Sequence, residues 1–424
     1  MMKLLPYGIL TLIFTAFITP PESNAYPIDG YEYSGIKRLK YLQMATSGEL
    51  PDPKLPPGSL KSIEDIKLNL KAECGFPVQD ILVEDADFQK KIDALLPRLD
   101  KSYSITVLDI TQPDKMRYAQ QNETKGYQPG SVGKLVVLTA LFDQLAKIYP
   151  DDFSKRIELL KTKTVKGGNW VLSDEHTIPV FNMETNKLVK RQAVASDVFS
   201  LFEWADHMLS VSNNGAASVV WREALLMAAF GDKYPTITQE DADAYFKENP
   251  KNEITDLAIN TVNNPLRELG ITEEEWRLGS FFTRGVNPYV GSKGGSIGTP
   301  LGLMKWMVQL EQGAIVDQKS SLEIKRLMYM TDRRIRYAQA PELKEAAVYF
   351  KSGSLYKCDK TKDEGCGKYK GNVYNYMNSV AIVEHPDGTK YMVCLMTNVL
   401  GKNSAYDHLA LASRIDKIVR ETKE

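Results

Sequence analysis

The sequence predicts an α/β fold in which one sheet is assembled from both ends of the domain, with a helical half inserted between them. Three patterns carry that expectation. Residues 103–110 alternate like a strand, Thr111-Gln-Pro-Asp114 reads as a turn, and residues 116–120 read as the return strand. The middle of the chain places apolar residues at helical spacing. After residue 345 strand patterning returns at 346–350, 379–384 and 391–397, with His385-Pro-Asp-Gly388 as a hairpin turn.

The elements follow in order. Residues 1–25 are set apart: a basic start at Lys3, an apolar run over 4–18, then Pro20, Pro21 and Ser23-Asn24-Ala25, with small residues where a leader is cleaved. This layout predicts a secretory signal, a mature chain outside the cytoplasm (periplasmic or secreted), and no stable membrane insertion after cleavage. Residues 26–80, with Pro51, Pro53, Pro56 and Pro57, read as an N-terminal extension with little regular structure. The main domain spans 81–424. A helix is expected over 85–99, from Phe88, Ile92, Leu95, Leu96 and Leu99. Pro129-Gly130 breaks the chain, and an apolar helix follows over 131–148, stopped by Pro150. Ser196 is the expected cap of a helix carrying Val198, Leu201, Phe202, Ala205 and Leu209. Further helices are expected over 215–230, from Thr299-Pro300 through Leu310, and over 405–420.

Composition narrows the function classes. With 53 Lys+Arg against 54 Asp+Glu the net charge is −1, which argues against a protein that coats nucleic acid. A hydrophobic share of 43% excludes wholesale disorder. After the leader no apolar run reaches the roughly 18 residues of a membrane helix. Cys358 and Cys366 are close enough to close a local loop, whereas Cys74 and Cys394 are left either paired or free. The four histidines (His176, His207, His385, His408) are scattered, and neither CxxC nor HxxxH occurs, so no metal is implied.

Chemistry is sought where a hydroxyl and a base share a face. Ser131-Val-Gly-Lys134 places them three positions apart at a helix start, where an amine reaches a hydroxyl. A serine is a weak nucleophile until a neighbour takes its proton, and a lysine does so only when burial or nearby cations lower its pKa. Ser-x-x-Lys occurs three times, at Ser34/Lys37, Ser131/Lys134 and Ser354/Lys357, and any one alone reads equally as two surface residues. Context singles out the middle copy, which follows a hairpin and a Pro-Gly break. Two further elements join it. Ser212-Asn213-Asn214 lies in a break between two apolar helices, and Lys351-Ser352-Gly353-Ser354 follows a strand-like stretch, with Gly353 allowing a substrate backbone close to the strand edge.

These three elements in this order resemble the signature of the penicillin-recognising serine enzymes, class A β-lactamases in particular. Ser212-Asn-Asn-Gly-Ala-Ala217 is similar to that family's Ser-Asp-Asn followed by Thr-Ala-Ala. Leu266-Arg-Glu-Leu-Gly270 resembles the turn before its Ω-loop, and Gly298-Thr-Pro300 the Thr-Thr-Pro after it. The resemblance implies a β-lactamase/transpeptidase-like fold: an antiparallel sheet flanked by terminal helices, an all-helical half, and a cleft between them with Ser131 at its floor. It implies insertions near 150–195 and 231–264, because the spacings between the motifs are long.

The roles implied are specific. Ser131 attacks the carbonyl of a β-lactam or of an acyl-D-Ala-D-Ala-like cell-wall peptide, with Lys134 as the base or holding the base in place. Ser212 relays the proton to the leaving nitrogen, and Asn214 orients Lys134 or the substrate. Lys351, with Ser352 and Ser354, draws the substrate carboxylate, and the N–H groups of Ser131 and Ser354 form the oxyanion hole. No cofactor is implied. Class A enzymes also use an Ω-loop glutamate, in a Glu-x-x-Leu-Asn setting, to activate the deacylating water. Here Glu275-Trp-Arg-Leu-Gly279 keeps only part of that pattern, and Thr272 followed by three glutamates also reads as a solvated acidic first turn. The two readings of Glu275 separate a secreted β-lactamase, with a role in antibiotic resistance, from a penicillin-binding D,D-peptidase-like enzyme with slow release. A non-hydrolytic binding module is the third alternative, and the intact Ser131, Lys134, Ser212 and Lys351 argue against it.

Overall fold

A computed structural model describes residues 29–51, 55–70, 77–329, 334–362 and 365–421. Residues 1–25, expected to be a leader, and Cys74 lie outside the described residues. Strands β1 (Ser104–Asp109) and β2 (Arg117–Gln121) pair in one sheet with β3 (Ala347–Lys357), β4 (Tyr374–Glu384) and β5 (Lys390–Asn398). Their order is β2-β1-β5-β4-β3, and each neighbouring pair is antiparallel. The sheet is thus built from both ends of the domain, and β3 is an edge strand.

Both faces of the sheet are covered, which is why its strands read as nearly unbroken apolar runs. Val107, Ala381, Val383, Val393 and Leu395 face one core, shared with two terminal helices, α2 (Ala86–Asp93) and α9 (Ala405–Glu421). Their neighbours Leu108, Val380, Ile382, Met392 and Met396 face a larger core that continues into the helical half. At the centre of that half lies α3 (Lys134–Ile148), packed against α5 (Asn214–Phe230) and α6 (Lys251–Glu268) and flanked by α4 (Leu201–Ser210). Helices α7 (Pro300–Gln312) and α8 (Gln318–Tyr329) join the two halves. Among the described residues no helix is long and apolar enough to cross a membrane.

Several expectations are corrected. Helix α2 stops at Asp93 rather than reaching Leu99, because Pro97 lacks an N–H and restricts the residue before it. The cap of α4 is Ser200, not Ser196: Ser200 and Glu203 form a reciprocal capping box, and Val198–Ser200 pairs as a strand with Thr164–Lys166. The apolar helix begins with a 3₁₀ turn over Gly130–Gly133 before α3 proper. Region 150–195 holds a helix, Phe153–Thr162, and a hairpin, Thr177–Asn182 with Lys187–Gln192. Region 231–264 holds a helix, Gln239–Glu248, and most of α6. Cys358 and Cys366 form a disulfide, and Cys394 is a free, buried thiol.

The N-terminal segment differs most from its reading. Residues 37–46 form helix α1 (Lys37–Thr46), which buries Leu39 and Leu42 in the larger core. On the same buried face the Arg38 guanidinium makes a two-point ion pair with Asp206 of α4. Farther on, Lys61 and Asn69 bond the Glu384 carboxylate at 3.0 and 2.7 Å, and Lys325 reaches the same carboxylate at 2.7 Å. Burying one member of such a pair alone is strongly unfavourable. Arg38→Ala, which removes the two-point cationic partner of Asp206, is therefore expected to lower the unfolding free energy by about 3–5 kcal/mol in urea titration. A loss under about 1 kcal/mol would mean that α1 packs without help from the pair.

Candidate active site

Ser131 is placed by two glycines. Gly130 takes φ +54°, and Gly353 of β3 lies so close to the 3₁₀ turn that a Cβ there would sit 2.2 Å from the Pro129 carbonyl oxygen and 3.0 Å from the Ser131 nitrogen. No other residue fits at 353 without parting the turn from the strand. The Asn378 side chain of β4 donates to the carbonyls of Gln128 and Pro129 at 2.9 and 3.1 Å, which fixes the turn against the sheet. Ser131 therefore stands between the helical half and the sheet edge.

Lys134, one turn on, is fully buried, and its Nζ lies 3.0 Å from Ser131 Oγ. The same nitrogen reaches Ser212 O at 2.5 Å, Asn214 Oδ1 at 2.7 Å and Ser212 Oγ at 3.3 Å. Burial lowers its pKa to about 7, against a smaller upward pull from the Asp174 carboxylate. A neutral amine has two N–H donors and one lone pair. The carbonyl oxygens of Ser212 and Asn214 can only accept, so they take the two donors and leave the lone pair for the Ser131 hydroxyl.

Lys351 is the second buried amine. It donates to Ser212 Oγ at 2.8 Å and to Ser352 O at 3.0 Å, and burial, then Lys134, then Arg336 push its pKa well down. Ser212 thus lies between two lysines, with its own backbone left-handed at φ +59°. Asn213 caps α5 by accepting from Ala216 N at 2.6 Å, and its amide donates to His176 O at 2.9 Å. An aspartate would serve the same cap, which explains why Asn is tolerated at this point of the motif. Asp174 anchors Asn214 by accepting from its backbone N at 2.6 Å and its side-chain Nδ2 at 3.2 Å. Burial would raise the Asp174 pKa, but the His176 hydrogen bond and charge hold it below the usual range.

The structure brings Ser131, Lys134, Ser212, Asn214, Lys351, Ser352, Gly353 and Ser354 together around one cleft. One compartment, about 370 Å³, runs from Ser131 along Leu278, Phe281 and Phe282; the other, about 240 Å³, runs past Ser212, Lys351 and Arg336. Glu275 is elsewhere. Its carboxylate bonds Lys305 Nζ at 2.5 Å and Thr272 N at 2.9 Å, and its carbonyl receives Thr299 N at 2.8 Å. It staples a turn to the start of α7 and does not line the cleft. The wall there is aromatic: Phe282 lies 5.2 Å from Lys134 Nζ, and Phe281 stacks on Trp221 at 4.1 Å.

Sequence reasoning missed Asp174, Phe281, Phe282 and Arg336. Arg336 is buried and donates to Gly353 O at 2.9 Å and Ser354 Oγ at 3.3 Å. The only signal for it was a cluster of arginines, Arg333, Arg334 and Arg336, shortly before a strand. Asp174, 40 residues before Asn214, carried no motif.

Comparison with known proteins places the chain in a family and relates its fold to solved structures. The sequence profile described as the beta-lactamase enzyme family matches residues 87–421. The fold is similar to the TLA-3 extended-spectrum beta-lactamase (TM-score 0.52, 15% identity, 79% of this chain and 98% of that one). It is similar also to the TLA-1 extended-spectrum beta-lactamase (0.52, 15%, 79% and 97%) and to a beta-lactamase from Chitinophaga pinensis DSM 2588 (0.51, 13%, 80% and 100%). No curated protein matches the chain.

The Lys134 environment sets a pH dependence. Above a pKa of about 7 the amine is neutral and can accept the Ser131 proton; below it the ammonium cannot. Covalent labelling of Ser131 by an electrophilic acyl donor, followed by intact mass at a series of pH values, is expected to quicken with a midpoint near pH 7. Asp174 favours the charged amine, so Asp174→Asn should move that midpoint down. A move upward, or a rate flat from pH 6 to 8, would contradict Lys134 as the base.

Proposed function

Because the chain belongs to the beta-lactamase enzyme family, we propose that it is an exported acyl-serine enzyme acting on β-lactams and acyl-D-Ala-D-Ala-like peptides, with fast acylation and slow release. The observation that carries this reading is the pairing of Ser131 Oγ with a buried amine at 3.0 Å whose other hydrogens are engaged by carbonyl oxygens.

The reaction follows from that geometry. Ser131 Oγ attacks the carbonyl carbon while its proton passes to Lys134. Charge builds on the former carbonyl oxygen, which the N–H groups of Ser131 and Ser354 receive at the close approach of turn and strand. Lys351 Nζ, 2.8 Å from Ser212 Oγ, supports the Ser212 hydroxyl as it gives a proton to the leaving nitrogen, and Lys134 replenishes that proton. The C–N bond breaks, and the acyl group stays on Ser131. Lys351 and Arg336 attract the carboxylate that both substrate classes carry beside that nitrogen.

Slow release rests on the opposite wall. Activating a water needs a base beside the ester. Glu275 is engaged with Lys305 and Thr272, and the face nearest Lys134 presents Phe282. Among the described residues the carboxylate lining the cleft is Glu175, on the segment that anchors Asn214. This arrangement favours the penicillin-binding, peptidase-like reading over a rapid β-lactamase.

Intact mass spectrometry of the purified chain with a penicillin tests the proposal. The expected result is an adduct of the whole drug that persists, is absent in Ser131→Ala, falls in rate by about 10³-fold in Lys134→Ala, and decays at an unchanged rate in Glu275→Gln. Rapid decay with release of hydrolysed drug would overturn slow release, and slower decay in Glu275→Gln would return that residue to the mechanism. No adduct on correctly folded protein would sink Ser131 as a penicillin-reactive nucleophile.

A further inference from the structure

One residue outside all three motifs bears on how the substrate carboxylate is held. Arg336 is buried, with its backbone left-handed at φ +53°. A guanidinium carries five N–H donors, and its bonds to Gly353 O and Ser354 Oγ use two of them. Among the described residues no carboxylate is paired with Arg336 or with Lys351, yet both line the 240 Å³ compartment. A buried guanidinium without a counter-ion, beside an amine that can take up a proton when an anion arrives, makes a receptor for that anion.

The guanidinium carbon of Arg336 lies over the ring of Tyr369, 5.3 Å from its centroid, and the Tyr369 side chain is also within hydrogen-bonding reach of it. Tyr369 is itself held in an unusual way. Its backbone is left-handed at φ +61°, a conformation a non-glycine residue keeps only when its surroundings impose it. Its carbonyl receives the buried Asn375 side chain at 3.1 Å, and the same amide also bonds Val399 O at 2.6 Å and Lys402 O at 2.8 Å. The Tyr356 ring meets it edge-on at 5.9 Å. On its N-terminal side the Cys358–Cys366 disulfide closes the loop that leads to it, and the Asp359 backbone exchanges two 2.8 Å bonds with Asn372 across the loop base.

Resting on the acyl-enzyme reading above, we propose that Tyr369 is a positioning residue: its ring, fixed by the disulfide-closed loop, orients Arg336 to bind the carboxylate of the substrate. An arginine recognises a carboxylate through two parallel N–H bonds, which demands that the plane of its fork be fixed. Gly353 and Ser354 fix one edge of that plane, and Tyr369 holds it from a further side.

The test uses the Ser131→Ala protein, which binds without reacting, and two probes: a penicillin with its free carboxylate and the methyl ester of the same penicillin, both titrated by calorimetry. Tyr369→Ala should weaken binding of the acid about tenfold, the loss of one charged hydrogen-bonding orientation, and that of the ester by less than about twofold. Tyr369→Phe keeps the ring and should restore the preference for the acid. The double change Cys358→Ser with Cys366→Ser should reduce it. Equal losses for acid and ester, or no recovery in Tyr369→Phe, would overturn the positioning role. So would failure of the Ser131→Ala protein to prefer the acid, whether or not the intact enzyme is acylated. Preference for the acid that depends on Tyr369, in a protein that penicillin does not acylate, would uphold the positioning role and reject the acyl-enzyme reading instead.

Discussion

The structure turns on the burial of two lysine side chains against a single serine hydroxyl. Lys134 and Lys351 both contact Ser212 Oγ, at 3.3 and 2.8 Å, and among the described residues neither is in direct contact with a carboxylate. Desolvation pushes both amines toward their neutral forms, with repulsion from Lys134 and Arg336 added at Lys351, and a neutral amine is what a serine nucleophile requires. Such an arrangement opposes folding, so the rest of the molecule must impose it. Helix α3 does so by burial along nearly its whole length, which leaves Lys134 no route to water. The asparagine pair at 213–214 does so by splitting its duties: Asn213 caps α5 while Asn214 binds the amine.

Strain collects around the same cleft. Ser173, Ser212, Arg336 and Tyr369 all hold left-handed backbone conformations without being glycine. Each such residue costs of order 1–2 kcal/mol. The first precedes the Asp174 anchor, the second carries the shared hydroxyl, and the last two form the arginine–ring pair. Stability drawn from elsewhere must offset this, and the N-terminal segment is one source. It adds Leu39 and Leu42 to the larger core and supplies Arg38 to the buried Asp206.

What the sequence made legible follows the range of the interactions. Ser131 and Lys134 are one helical turn apart, and the strand after residue 345 announces itself by its own short apolar run, so both the nucleophile and the architecture could be read locally. The N-terminal helix could not. Lys37, Arg38, Lys40 and Gln43 make it look solvated, and Arg38 is buried only because of an aspartate 168 residues away. Arg336 and Asp174 were hidden for the same reason, since their meaning lies in partners 33 and 40 residues distant. Glu275 failed in the opposite sense. A Glu-x-x-Leu pattern fixes a spacing but not a direction, and here Thr272 and Lys305 turn the side chain away from the cleft.

The aromatic wall gives the slow-release reading its physical basis. Phe281 is stacked on Trp221 and tilted against Trp170, which in turn lies flat on Tyr289 at 5.4 Å. The wall is therefore braced from behind by rings whose packing would have to break before a water and its base could enter on that side. Acylation draws on groups already in place, whereas hydrolysis would need a base the wall does not offer. On that reading the cleft binds and holds: Lys351 and Arg336 gather the anionic substrate, the neutral Lys134 amine starts the reaction, and the packing of Phe281 and Phe282 delays its end.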